Sequence, residues 1–578
     1  MLKYTSMPVW RRIRRRLEFL YQEQAEQCLE RFEMLVGRYG VGFNHYPPFK
    51  YRDQSDSILI TYGDMVRDGE AAPLETLENF LSDRLRGAVS TVHLLPFFPF
   101  SSDDGFSVID YRSVDPALGK WKHIDRFNEN FSLMFDLVLN HVSRGSDWFK
   151  AYTRGIAPER KYFLETDPSL DLSRTVRPRS GPLLSEVRTR SGVRHLWTTF
   201  SDDQLDLDFS NPDVLFEFLD ILLFYIAHGA RIIRLDAIAY LWKRPGTSCI
   251  HLDETHEVVK LMRDLVELIG VDVSLLTETN VPHAENIRYF GNGDEAHMVY
   301  QFPLPPLLLH ALVTGDSRHL TQWAVNLEPP PEGCSFLNFT ASHDGIGVRP
   351  LEGLVSPEEM QSLLDHVRAA GGQISFKRNA DGSESPYELN ITYFDALGTP
   401  ARPDERLQVE RFLCSQTVML ALQGIPAVYF NSLFGGHNWT EGMQQTGRAR
   451  TLNRKKWTQQ EIAGMLDNPD GVPARIFRRC RSLLLLRAKH FAFHPAGMQT
   501  ALDLGKEVFL IVRTAPDKSE SVVSISNFTA ETVTRNPATI IPRLKKAKEW
   551  HDLISGKNRK TAAGIELRPY ETCWIRIA

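Results

Sequence analysis

The chain has 578 residues, 42% of them hydrophobic and 24% charged, which is the composition of a soluble globular protein long enough to bury a large core. Its 67 Lys and Arg against 72 Asp and Glu leave a formal charge of -5, too even a balance to advertise nucleic acid or another polyanion as partner. Six scattered cysteines (Cys28, Cys249, Cys334, Cys414, Cys480, Cys573) form neither a metal-ligand spacing nor a disulfide framework, which suits a reducing, cytoplasmic setting.

At the N-terminus, Arg11, Arg12, Arg14, Arg15 and Arg16 could mimic a targeting region. The following LEFLYQEQAEQCLERF is amphipathic and charged, so it is neither a signal-peptide core nor a membrane span. Leu17, Leu20, Tyr21, Leu29, Phe32 and Leu35 fall near helical spacing. They predict one or two helices ending before Pro47-Pro48, an extension over 1–54 packed on the main body. A nucleic-acid-binding arm is the sharper alternative.

From Ser57 onward strand-like runs alternate with helical stretches. SILITYGDMV, STVHLLPFFPF, SLMFDLVLNHVS, ARIIRLDAI, VSLLTETN, MVYQF, CSFLNFTASHD and GIPAVYF make eight. That alternation predicts an α/β chain whose core is a (β/α)8 TIM barrel over 55–490. Two spacings are too long for a loop and a helix, and predict insertions over the barrel mouth at about 144–208, after strand three, and 345–402, after strand seven. Beyond 491, VFLIVRT, SVVSISNF and ETCWIRIA follow one another without a long helix, which predicts a C-terminal β domain over 491–578.

The strand ends carry the chemistry. In HGARIIRLDAIAY, Asp236 closes the fourth strand, where a barrel presents side chains to its mouth, and Arg234 two residues earlier shares its face. Alone, this is equally a structural ion pair. Strand three ends in Asn140-His141, strand five in Glu278, strand seven in His343-Asp344, and strand two leads into Asp103-Asp104-Gly105-Phe106. Two carboxylates without metal-ligand spacing suggest glycosyl transfer, one attacking the anomeric carbon and the other protonating the leaving oxygen. In retaining enzymes they stand about 5–5.5 Å apart, which adjacent strands supply. Asp236 beside Arg234 suits the ionised nucleophile, and Glu278 among uncharged neighbours suits the protonated acid.

DLVLNH, RIIRLDAIAY, LLTETN and TASHD, in this order, resemble the four signature regions of the α-amylase superfamily, glycoside hydrolase family 13. The resemblance implies Asp236 as nucleophile, Glu278 as acid/base, Asp344 as the third carboxylate gripping the sugar, His141 and His343 on glucosyl hydroxyls, and Arg234 orienting Asp236. HLLPFFPF with DDGFSVIDY, SHDGIGV and RARTLNRKKW resemble the sucrose phosphorylase subfamily. By that resemblance Asp103 binds the terminal glucose over the Phe106 platform, and Arg450 pairs with Asp103 to block the far end. VRPRSGP resembles the phosphate-contacting segment, implying Arg179, and SPYELN the mobile acceptor loop, implying Tyr387. Where that subfamily has glutamine, Glu388 follows the tyrosine, which puts sucrose in doubt.

RHLWTTFSDDQ, PGTSCIHL, TETNVPHAENI and DEAHMVYQFPLPPL, with the helical extension, resemble the glucosylglycerate phosphorylase branch. The expectation is therefore reversible phosphorolysis of 2-O-α-glucosylglycerate to α-glucose 1-phosphate and glycerate, by double displacement. Arg194, with His195, is the candidate cation for the glycerate carboxylate or, equally, a brace for the first excursion, and Glu388 is the candidate for the glycerate hydroxyls. Sucrose or glucosylglycerol phosphorolysis is the alternative, and a non-catalytic amylase-like binding domain the alternative of another class. Partners are then a small glucoside and phosphate, with no nucleic acid or membrane and with room for a homodimer. No cofactor is implied, phosphate being a co-substrate. No metal is expected either: Asn140 holds a position that helps bind calcium in many amylases, but no oxygen-ligand loop follows it.

Overall fold

A computed structural model describes residues 8–43, 52–179, 181–379, 383–546, 549–560 and 564–577. The eight apolar runs form eight short strands: β1 (Ile58–Thr61), β2 (Thr91–Leu94), β3 (Ser132–Val138), β4 (Ala230–Asp236), β5 (Ser274–Thr277), β6 (Met298–Tyr300), β7 (Ser335–Phe339) and β8 (Ile425–Tyr429). They close into a barrel in which every neighbouring pair is parallel, β1 meeting both β2 and β8. A parallel barrel ringed by helices buries both faces of each strand, which is why these runs are continuously apolar rather than alternating. Register sets the mouth: Asp136 lies opposite Arg234, Val138 opposite Asp236, and Leu276 opposite Arg234 from the other side.

Helix α3 (Pro212–Ala227) delivers β4, and its start is fixed by the Asn211 side chain accepting the Asp213 N–H, with Pro212 in the first turn. Gly229 makes the turn between them at φ +93°, where a Cβ would come within 2.2 Å of the Asn128 amide. Only glycine fits there.

The N-terminal extension is two helices, α1 (Pro8–Tyr21) and α2 (Ala25–Phe43), while Pro47 and Pro48 lie outside the described residues. Ile13, Leu17 and Phe32 are fully buried. Two arginines of α1 are docking groups. Arg12 and Arg16 both grip Asp264 of helix α4 (Asp253–Ile269), at 2.7 and 2.6 Å, and Arg16 also meets Glu257 at 2.9 Å.

Residues after β3 build a helix (Asp147–Arg154), a hairpin (Leu184–Thr189 with Gly192–Trp197) and a two-stranded ribbon in which His141 lies opposite Asp206. After β7, a helix (Pro357–Ala369) and a hairpin (Gln373–Arg378 with Glu384–Asn390) fold back so that Gly347 pairs with Glu388. The C-terminal region is a six-stranded antiparallel sheet running from Met498–Leu502 to Thr572–Ile577. One of its faces, with Phe509, Ile511 and Trp574, joins the barrel core, and the other holds a small core of its own around Trp550. Among the described residues no helix is long and apolar enough to cross a membrane.

Candidate active site

β4 ends in Asp236, so its carboxylate enters the barrel mouth, and Arg234 beside it donates from Nη1 to Asp236 Oδ1 at 2.7 Å. The same guanidinium holds Asp136, which takes His93 Nε2 at 2.7 Å from below. His93, Asp136, Arg234 and Asp236 thus form one buried chain under the mouth. Burial opposes the charge on Asp136, but His93 and Arg234 outweigh it and pull its carboxyl down to about 2. Glu278 follows β5 and accepts the Ala237 N–H at 3.0 Å, which ties it to the turn beyond Asp236.

Burial pushes Asp236 well above the usual carboxylate range, Arg234 opposing and Glu278, Asp136 and Asp344 adding to the push. Burial raises Glu278 too, again against Arg234 and with Asp344 adding. Two such carboxyls titrate as a pair. Asp344 is the opposite case: despite burial, the guanidiniums of Arg450 and Arg454 hold it far below the usual range. Arg450 lies 2.7 Å from it and Arg454 3.7 Å. His343 stacks on Phe106 with ring centroids 4.9 Å apart and planes 4° from parallel. Burial lowers the imidazoles of His141 and His343, so both stay neutral hydrogen-bonding groups.

These groups line a narrow inner cavity of about 70 Å³, which holds Asp103, Phe106, His141, Arg179, Arg234, Asp236, Glu278, His343, Asp344, Tyr387 and Arg450. An outer cavity of about 280 Å³ shares Asp103, Arg179 and Arg450 and adds Glu388, Asn390, Arg448 and Arg454. Arg179 faces both, its guanidinium carbon 5.7 Å from the Tyr387 ring centre.

Three expectations are revised. Arg450 forms its ion pairs with Asp344 and Glu388, not with Asp103. The pair across the far end is Arg454 with Asp104, because the turn through Asp103 and Asp104, both at positive φ, aims Asp104 at the third arginine of RARTLNR. Asp103 instead accepts from Gln204 Nε2 at 3.4 Å. Glu388 does not stand free for acceptor hydroxyls: both oxygens take Arg450, at 3.0 and 2.9 Å, and Oε1 also takes the Gly345 N–H at 3.2 Å. Arg194 lines neither cavity and pairs with Glu165 at 3.3 Å, bracing the first excursion.

The sequence reading missed His93, Asp136, Gln204 and Arg454. Asp136 was findable, since it lies two residues before Val138 on the inward face of β3. Lys243 Nζ donates to the carboxamide oxygen of Asn140 at 2.7 Å, and the same ammonium meets Asp206 at 2.6 Å. Among the described residues no cluster of three His, Cys, Asp or Glu side chains could hold a metal ion.

The α-amylase catalytic-domain profile matches residues 87–326. A glucosylglycerate phosphorylase of Spirochaeta thermophila is 45% identical over 533 residues, 90% of either chain. One of Allomeiothermus silvanus is 44% identical over 565 residues, 97% of either chain. Among solved structures, a sucrose 6F-phosphate phosphorylase from Thermoanaerobacter thermosaccharolyticum superposes with a TM-score of 0.71 at 25% identity, over 82% of this chain and 94% of that one.

Proposed function

The chain belongs to the glucosylglycerate phosphorylase family of α-amylase-type barrels, and from that membership we propose that it reversibly phosphorolyses 2-O-α-glucosylglycerate, with retention, to α-glucose 1-phosphate and glycerate. Asp236 attacks the anomeric carbon while Glu278 protonates the departing glycerate oxygen. The shared proton belongs on Glu278, because Arg234 hydrogen-bonds Asp236 directly and favours its charge. Phosphate then attacks the glucosyl ester, and Asp236 leaves as carboxylate. Asp344, kept ionised by Arg450, binds sugar hydroxyls with the neutral His141 and His343, and Phe106 forms the apolar floor. Arg454 with Asp104 closes the far end, so that one glucosyl unit fits and a polymer does not.

The observation that carries this reading is the paired Asp236 and Glu278 in a closed pocket whose entrance keeps a guanidinium, Arg179, clear of carboxylate ion pairs among the described residues. Such a cation suits an anionic acceptor. The buried free thiols of all six cysteines support a cytoplasmic setting. An acceptor panel with α-glucose 1-phosphate tests the proposal: glycerate is used first, glycerol second and fructose a distant third. A preference for fructose would return the activity to sucrose.

A further inference from the structure

Four guanidiniums besides Arg234 line the two cavities, and three are accounted for by position or pairing. Arg450 is held by Asp344 and Glu388, and Arg454 by Asp104. Arg448 is exposed and lines only the outer cavity. Arg179 alone among them reaches the inner cavity without a carboxylate ion pair among the described residues, and its partner is the face of Tyr387. A guanidinium resting on a ring keeps its in-plane N–H groups for an anion.

Resting on the reading above, we infer that Arg179 is a shared anion subsite, holding the glycerate carboxylate in one half-reaction and phosphate in the other. Both acceptors attack the same carbon from the same side. In phosphate the charged oxygens are separated from the attacking oxygen by phosphorus alone; in glycerate, by the two carbons between its 2-hydroxyl and its carboxylate. The two anions therefore present negative charge to nearly the same place beside Asp236 and Glu278. When glycerate attacks, its 2-hydroxyl oxygen bonds to the anomeric carbon and the ester bond to Asp236 breaks. Asp236 keeps that electron pair, and the hydroxyl proton passes to Glu278. When hydrogen phosphate attacks, one of its charged oxygens makes the same bond, with the same leaving group. Arg179 changes charge in neither step and acts by seating the anion. Glu388 already takes Arg450 on both oxygens, which screens part of its charge from the incoming carboxylate.

The experiment uses α-glucosyl fluoride as donor, so that the glucosyl-enzyme forms without a phosphate leaving group, and measures half-saturating phosphate, glycerate and glycerol. Arg179→Ala should raise the values for both anions by about ten- to a hundredfold, the loss expected of one charged hydrogen-bond partner. Glycerol, which keeps the hydroxyls and lacks the charge, should move by less than about threefold on the same basis. Arg179→Lys, which keeps the charge but not the fork, should shift both anions together and less. A rise for phosphate with glycerate unmoved, in either variant, overturns the shared subsite and leaves the proposed activity standing. Failure of the unmutated protein to use glycerate at all overturns both.

Discussion

Asp236 works because of what lies beneath it. Arg234 is fixed by two carboxylates, and Asp136 is itself fixed by His93, so the partner of the proposed nucleophile cannot swing away. Asp236→Asn should lower phosphorolysis and hydrolysis together by more than about a thousandfold, since both pass through one glucosyl ester; assays with and without phosphate check this. Asp136→Asn should destabilise the fold by about 1.5–3 kcal/mol at neutral pH, by leaving Arg234 only one of its two carboxylates. Because the folded carboxyl lies at about 2, below its unfolded value, its contribution is present above the unfolded pKa and fades as pH falls through the folded one. Denaturant melts should therefore show a constant gap between the two proteins above about pH 5 that narrows from pH 4 to pH 2. Strand-end residues were legible in the sequence because parity and strand ends dictate where they point. The Asp104–Arg454 pairing was not, since it depends on two successive positive-φ residues that no periodicity reveals.

The helical extension shows the same division between elements. Apolar spacing marks α1 and α2, but their docking site depends on α4, some 250 positions away in sequence, which brings Asp264 under two arginines. Asp264 is nearly inaccessible, at 2% side-chain exposure, so removing both partners strands a buried charge. Arg12→Ala with Arg16→Ala should cost about 3–5 kcal/mol in chemical denaturation, and adding Asp264→Asn should recover part of it. Turnover at saturating substrate should hold, because none of the three lines the cavities. A cost below about 1 kcal/mol would make the clamp a surface ornament.

Across the whole molecule, the eight strands were readable because a parallel barrel demands continuous apolar runs between helices. The C-terminal sheet was readable as β structure, yet its relation to the barrel was not, because both faces of its central strands are buried and alternation is lost. Phe493 packs on Trp574 at 4.6 Å between ring centres, and Arg411 Nη2 donates to Tyr570 Oη at 2.6 Å. Chains ending at residue 490 should consequently fail to give a folded barrel, judged by far-ultraviolet circular dichroism and a cooperative melt. A stable, active truncated barrel would show the sheet to be a mere appendage. The most direct measurement of the central claim is the proton NMR spectrum of 2-O-α-glucosylglycerate incubated with the protein and phosphate. The expected first sugar product is α-glucose 1-phosphate, formed mole for mole with glycerate and only when phosphate is present. Free glucose released at the same rate without phosphate, or the β-phosphate as first product, would contradict it.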